Sequence, residues 1–196
     1  MKYFSTLPQI ITSDGRGGAI ILTNLMARAS LISSLFNDPL LFYSYDIQEG
    51  DTPEIIAHKY YEDIYRYWIV LVSNQIVDPQ WDWPMSGSLL ANFIEQKYGM
   101  GVGDIHHFEK TTTQFDINSQ TETTHTLVID QQEYDALVEG SVSYTLPTGT
   151  VSVITTKRVV TNYDYELEKN ETKRSIKLLN KDYVPSFESQ FKKLMS

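Results

Sequence analysis

The sequence contains no cysteine, which excludes disulfide bonds, thiolate nucleophiles and cysteine-ligated metals. This absence suits a protein made in a reducing cytoplasm. Basic residues are also scarce, since 16 lysines and arginines stand against 25 aspartates and glutamates, for a formal net charge of -9. Because such a charge repels phosphate backbones and anionic headgroups at long range, we expect no nucleic acid and no membrane as partners.

Long hydrophobic runs are missing as well. In the most hydrophobic region, the longest uninterrupted apolar stretch extends only from Tyr67 to Val72, far short of the about 20 residues that cross a bilayer. The opening MKYFSTLPQI holds one lysine but loses its apolar character from Ser5 onward. We therefore expect neither a membrane-spanning helix nor a secretory signal peptide.

The composition that remains is ordinary for a globular protein, with 41% hydrophobic and 12% aromatic residues. Residues 19–45 fit either helical turns or buried strands, with a break at Asn37, Asp38 and Pro39, and residues 40–47 then predict a strand rich in aromatic residues. This part of the pattern leaves the element type open.

Helices are predicted through the rest of the first half. Thr52 followed by Pro53 is typical of a helix N-terminus. A second helix is predicted over Ile64–Ser73, and it is apolar on nearly every side, so it should be buried on more than one face. A third is predicted from a cap at Ser86 to about Tyr98.

The second half changes character. Threonine and β-branched residues dominate residues 104–160 and predict a small antiparallel sheet, interrupted by a short helix that Asp130 caps. Helix-favouring residues return in the charged segment 163–173, and Asp182 is predicted to cap a last helix. The apolar residues assigned to that helix are Val184, Phe187, Phe191 and Leu194.

Few residues suggest catalysis or metal binding. His106 and His107 are adjacent in a predicted strand, where successive side chains point to opposite faces, so structural roles are favoured over a shared metal. Asp78 and Asp82 allow an acid/base pair, but Asp-Pro and Asp-Trp in a loop fit turn chemistry better. Because no nucleophile, base and orienting group occur together, we expect no enzyme, no cofactor and no small-molecule substrate.

The segment Tyr45–Tyr61, YDIQEGDTPEIIAHKYY, resembles the opening of a LysM module, which has a strand, a Gly-Asp-Thr turn and a helix ending in Ala-x-x-Tyr. The matching residues are Gly50, Asp51, Thr52, Ile56, Ala57 and Tyr60. The glycine permits a tight turn, and Asp51 or Thr52 can accept hydrogen bonds from the first helical amides. The resemblance implies an α/β module in the first half.

The next segment, Tyr65–Ser86, carries a more specific resemblance. It is similar to the LysM-containing baseplate wedge protein of T-even-like contractile-tailed phages, which has an aromatic-Trp pair, an aliphatic run, Asn, Asp-Pro and a Trp-rich loop in that order. The matching residues are Tyr67, Trp68, Leu71, Asn74, Asp78, Pro79 and Trp83. The segments KYFSTLPQI and TNLMAR and the tail after Asn162 resemble the same family, whereas the threonine-rich middle matches least.

The resemblance implies a structural subunit in each of six wedges around the tail hub. It would bind other wedge and hub proteins and help to close the ring, within a virion tail baseplate assembled in the host cytoplasm. The alternative is a peptidoglycan- or chitin-binding LysM protein, which the missing signal peptide, the single module and the wedge-like residues after Tyr61 disfavour. A hydrolase would need a catalytic constellation that the sequence does not offer.

We expect an α+β chain in four parts. Residues 1–42 are predicted to form an extended or helical arm, and 43–98 a LysM-like module with a following helix. Residues 104–160 are predicted to form a β-rich insertion, and 161–196 a C-terminal helical arm.

The candidate interface residues are Gly50, Asp51, Thr52, Trp81, Trp83, Lys192 and Lys193. Tryptophans in such loops serve as anchors at protein interfaces, although the glycan alternative would use them to stack on sugar. The segment Tyr43–Asp82 contains eight acidic and two basic residues, whereas Lys169–Ser196 contains seven basic and three acidic. Two oppositely charged surfaces for different partners are one interpretation, and solvated helix faces are the other.

Overall fold

The computed structural model describes residues 2–27, 40–147 and 149–195. These residues form two compact units, one from Met1–Ser86 with Glu171–Ser196 and the other from Gly87–Asn170. The second unit is therefore continuous in sequence, and it lies between the two segments that form the first unit. The predicted break at Asn37, Asp38 and Pro39 lies outside the described residues, with the part of the ambiguous pattern that spans residues 28–39.

The elements of the first half are β1 (Gln9–Ser13), β2 (Ala19–Thr23), β3 (Phe42–Asp46), α1 (Pro53–Tyr61), α2 (Tyr67–Ser73), α3 (Pro79–Asp82) and α4 (Gly87–Tyr98). Those of the second half are β4 (Ile105–Asp116), β5 (Thr121–Ile129), α5 (Gln131–Ala136), β6 (Gly140–Leu146), β7 (Gly149–Thr161), α6 (Asn162–Glu171), β8 (Ser175–Leu179) and α7 (Val184–Met195). Within the described residues, no helix is long and apolar enough to cross a membrane.

The core of the first unit joins distant parts of the sequence. Strand β3 pairs antiparallel with β8, from Phe42 opposite Leu179 to Asp46 opposite Ser175. Alternation explains the strand, because Ile176 and Leu178 point to the buried face. The predicted arm 161–196 therefore contains a strand between its two helices. Its apolar residues form β8 because β3 offers them a partner.

An aromatic cluster holds α7 on α2. The Trp68 ring lies 5.6 Å from Phe187, 4.6 Å from Phe191 and 5.8 Å from Tyr3, measured between ring centroids. The α2 residues from Trp68 to Val70 are buried, which confirms the prediction of burial on more than one face. Leu194 lies in the last helix as predicted, but its side chain is 74% exposed.

The second unit contains a four-stranded antiparallel sheet in the order β5-β4-β7-β6, as the threonine-rich pattern predicted. The Thr111 and Thr126 hydroxyls face each other across β4 and β5 at 3.1 Å. Helix α5 begins after Asp130, whose side chain accepts a hydrogen bond from the Glu133 amide at 2.7 Å. This bond confirms the predicted cap. The chain is thus α+β, with antiparallel sheets and a C-terminal helix.

A separate two-stranded hairpin, β1 and β2, precedes the core of the first unit. Its register runs from Gln9 opposite Thr23 to Ser13 opposite Ala19. In the connecting loop the Asp14 carboxylate accepts hydrogen bonds from the amides of Arg16 and Gly18, at 2.7 and 2.8 Å. All ten strand residues are exposed.

Candidate interface residues

The Gly50-Asp51-Thr52 turn joins β3 to α1. Gly50 has a φ of +84°, a left-handed conformation that glycine adopts without strain. The Thr52 hydroxyl accepts a hydrogen bond from the Ile55 amide at 3.3 Å, and Pro53 begins the helix. The predicted N-terminus of α1 is confirmed, and its cap fixes the direction in which the helix leaves the turn.

The Asp51 carboxylate is buried and has three partners within the first unit. It accepts hydrogen bonds from the Tyr45 hydroxyl at 2.6 Å, the Gln48 amide at 3.2 Å and the Lys59 ammonium at 2.6 Å. Burial alone raises the pKa of Asp51, but these bonds and the Lys59 charge outweigh it and lower the pKa. The bond to Asp51 also raises the pKa of Tyr45 to about 12.

Trp81 lies in the short helix α3, where the sequence predicted a loop, and Trp83 follows the helix. The two tryptophans have different environments. Trp83 is buried, and its indole N–H donates to the Asp51 carbonyl at 2.9 Å. Trp81 is 51% exposed, and its carbonyl accepts a hydrogen bond from Lys173 at 2.5 Å. The structure therefore brings Trp83 to the Gly50-Asp51-Thr52 turn and leaves part of the Trp81 ring at the surface.

Lys192 and Lys193 lie on the exposed side of α7. The opposite side of the helix contributes Val184, Phe191 and Met195 to the core. Because α7 is amphipathic and its apolar side is packed, the two lysines have a defined position on the surface of the first unit. They do not belong to the group formed by the turn and Trp83.

The carboxylates of Asp78 and Asp82 both accept hydrogen bonds from nearby backbone amides. Asp78 accepts a hydrogen bond from the Gln80 amide at 3.0 Å, and Asp82 accepts from the amides of Val77 and Asp78 at 3.2 and 3.0 Å. Asp78 is the N-cap of α3, and Asp82 bonds back to the backbone before that helix, so helix capping, rather than the predicted loop turn, accounts for their geometry. Asp82 also borders a groove of about 320 Å³, together with Asn74, Gln75, Ile76, Thr172, Lys173, Ser175 and Ile176.

The expectation that His106 and His107 point to opposite faces is wrong. The register of β4 against β7 shifts between Ile105 and His107, and this bulge brings the two Nδ1 atoms to 2.7 Å. The His106 ring stacks on Tyr165 with centroids 3.9 Å apart, and His107 Nε2 lies 3.1 Å from Glu109. Among the described residues, no three histidine, cysteine or acidic side chains are grouped to hold a metal.

Sequence reasoning missed a network of charges in the second unit. Glu166 is buried and accepts hydrogen bonds from Lys97 at 2.5 Å and from Tyr98 at 2.9 Å. Arg158 bridges Glu109 and Glu168. These bonds join residues up to 69 positions apart, so no local pattern could have revealed them. They connect α4 and α6 with each other and α6 with the sheet, within the second unit.

The comparison with known families identifies the chain. The family described as base plate wedge protein 53 matches residues 34–194. The chain belongs to the base plate wedge protein 53 family. A wedge protein of this family is a structural, non-enzymatic part of the phage tail baseplate, and it assembles with other baseplate proteins in the virion. No curated protein matches the sequence.

Proposed function

We propose that this wedge protein is a connector, with one copy in each of six wedges, that binds neighbouring wedge and hub proteins and helps to close the ring around the tail hub. The observation that carries the proposal is the position of Lys192 and Lys193 on α7. One side of this helix is locked into an aromatic core, so the basic side is a fixed surface suited to an acidic partner.

Internal ion pairs account for part of the charge separation seen in the sequence. The acidic segment 43–82 and the basic segment 169–196 lie almost entirely in the first unit. Arg174 of the basic segment contacts Glu49 of the acidic segment at 3.5 Å, and Lys181 contacts Glu62 at 3.5 Å. The proposal therefore does not need two whole surfaces of opposite charge, and it assigns the basic contact to α7.

Reversing both charges, in Lys192→Glu with Lys193→Glu, should slow association with the wedge by about tenfold at low salt, because surface charges mainly steer encounter. The defect should shrink as salt rises, since screening removes the repulsion. The association rate follows from the assembled fraction at successive times after mixing with the other wedge and hub proteins of the same phage, measured by size-exclusion chromatography with mass determination. Lys192→Arg with Lys193→Arg is the matched control. Equal assembly of all three proteins at every salt concentration would contradict the role of α7.

We also propose that β3, the Gly50-Asp51-Thr52 turn, α1, α2 and β8 form a LysM-like module used for assembly. The strand, turn and capped helix at its start support this, as does the antiparallel pairing of β3 with β8. On this proposal the second unit is an insertion in the module, and β8, which follows the second unit in the sequence, completes the module.

The structure gives the glycan alternative little support, because Trp83 is buried and its N–H is bonded internally. We expect the purified chain to stay in the supernatant when insoluble peptidoglycan is sedimented. If the wild-type chain sedimented with peptidoglycan and the Trp81→Ala variant did not, a glycan site would be favoured instead. Trp81 is the suitable residue to replace because it is half exposed.

A further inference from the structure

The β1–β2 hairpin and the turn after it, residues 9–26, expose an unusual amount of apolar surface. Seven of its large side chains are exposed by 45–85%: Ile10, Ile11, Ile20, Ile21, Leu22, Leu25 and Met26. Together they offer several hundred Å², which is at the upper end for a monomer surface and approaches the about 800 Å² that each partner buries in a standard interface.

Both faces of the hairpin carry large apolar side chains. The register places Ile10 opposite Leu22 on one face and Ile11 opposite Ile21 on the other. A hairpin that merely covered its own core would bury one of these faces, but every strand residue is exposed. The hairpin therefore has the surface of an element that enters a groove and is contacted from two sides.

The edges of the hairpin are open to further pairing. In the described part of the chain, β1 and β2 pair only with each other. The Asn24 amide donates to the Pro8 carbonyl at one end of the hairpin, and the Asp14 amide donates to the Gly18 carbonyl at the other. Because hydrogen-bonded and non-hydrogen-bonded pairs alternate in an antiparallel ladder, the backbone N–H and C=O groups of Ile11 and Ile21 point away from the partner strand. Neither strand contains a charged residue, although charges commonly protect natural edges from pairing. An isolated two-stranded hairpin is also only marginally stable.

We propose that this hairpin docks into an apolar groove of a neighbouring baseplate protein and extends a strand edge of that protein. The docking rests on the proposed connector function and names one of its contacts. A second copy of the chain is a poorer occupant, because two chains with a net charge of -9 repel each other. The hairpin itself is neutral, since Asp14 and Arg16 are its two charged residues and they cancel.

The test compares Ile11→Thr with Ile21→Thr, made together, against the wild-type chain. Threonine keeps the preference for strands but removes apolar surface from one face. The matched control is Val138→Thr with Val142→Thr, at positions 85% and 53% exposed in the second unit. Each protein is co-expressed with the other wedge and hub proteins of the same phage, and hydrogen exchange is measured in the free and assembled chain.

We expect amide exchange in β1 or β2 to slow by about tenfold or more on assembly of the wild-type chain. The hairpin variant should bind the neighbouring baseplate protein about tenfold more weakly for each replaced isoleucine. The control variant should bind that protein as tightly as the wild-type chain does. If the wild-type chain assembles but hairpin exchange is unchanged, the docking is overturned and the connector stands. If the isolated wild-type chain forms dimers and the hairpin variant does not, the docking on a neighbouring baseplate protein is also overturned. A wild-type chain that never joins the complex contradicts the connector itself.

Discussion

Replacing Trp68 by alanine should lower the free energy of unfolding of the first unit by about 3–5 kcal/mol, the usual cost of removing a large buried aromatic residue. Trp68 is 2% exposed and contacts Tyr3, Phe187 and Phe191. Its loss would leave a cavity between α2 and α7. The change can be followed by urea unfolding with far-UV circular dichroism, together with hydrogen exchange in α7.

A comparison of phenylalanine substitutions makes this prediction sharper. The Trp68 indole nitrogen has no hydrogen-bond partner among the described residues, whereas the Trp83 nitrogen donates to the Asp51 carbonyl. Because an unpaired buried donor is costly, Trp68→Phe should recover much of the stability lost in Trp68→Ala. Trp83→Phe should lose about 1 kcal/mol for its hydrogen bond. Trp81→Ala is the exposed control, and a loss as large as that of Trp68→Ala would contradict the proposed core.

Replacing Asp51 by alanine should cost about 2–3 kcal/mol, because hydrogen bonds to a charged group contribute more than neutral ones. The Tyr45 hydroxyl and the Gln48 amide would lose their acceptor, while Lys59, with a side chain 58% exposed, would return to water. The loss can be measured by urea unfolding. Asp46→Ala is the matched control, because Asp46 is the exposed last residue of β3.

The effect of Asp51 should also depend on pH. Its pKa in the folded chain lies below the ordinary value of 3.8, so its ionised form stabilises the fold above that value, and the contribution disappears as the pH falls through the lower folded pKa. The difference in stability between wild type and Asp51→Ala should therefore be largest near neutral pH and narrow in acid. A difference that stayed constant down to about pH 2 would contradict a buried carboxylate stabilised by these partners.

Local patterns predicted the elements whose causes are local. Thr52 and Pro53 indicated the start of α1, Asp130 indicated α5, and the β-branched run of residues 104–160 indicated the sheet of the second unit. Each of these depends on caps, propensities or alternation within a few residues. The sequence was therefore sufficient for most helices and for the general α+β class.

Features that depend on distant residues could not be predicted. The pairing of β3 with β8 joins Phe42 to Leu179, and nothing in either segment identifies the other. The bulge that brings His106 and His107 together requires the register of β7. For the candidate interface residues, the sequence marked Asp51 as important, but only its contacts in three dimensions reveal a buried carboxylate.

The return of the chain to its first unit has a consequence for the order of folding during synthesis. The second unit is continuous in sequence, from Gly87 to Asn170, so it can form as soon as it leaves the ribosome. The first unit must wait for β8 and α7, which are translated after the second unit, because they supply the partner of β3 and one side of the aromatic core. A chain cut short before Glu171 would thus carry a folded second unit beside an unfinished first one, and only chains that include α7 would become competent for assembly.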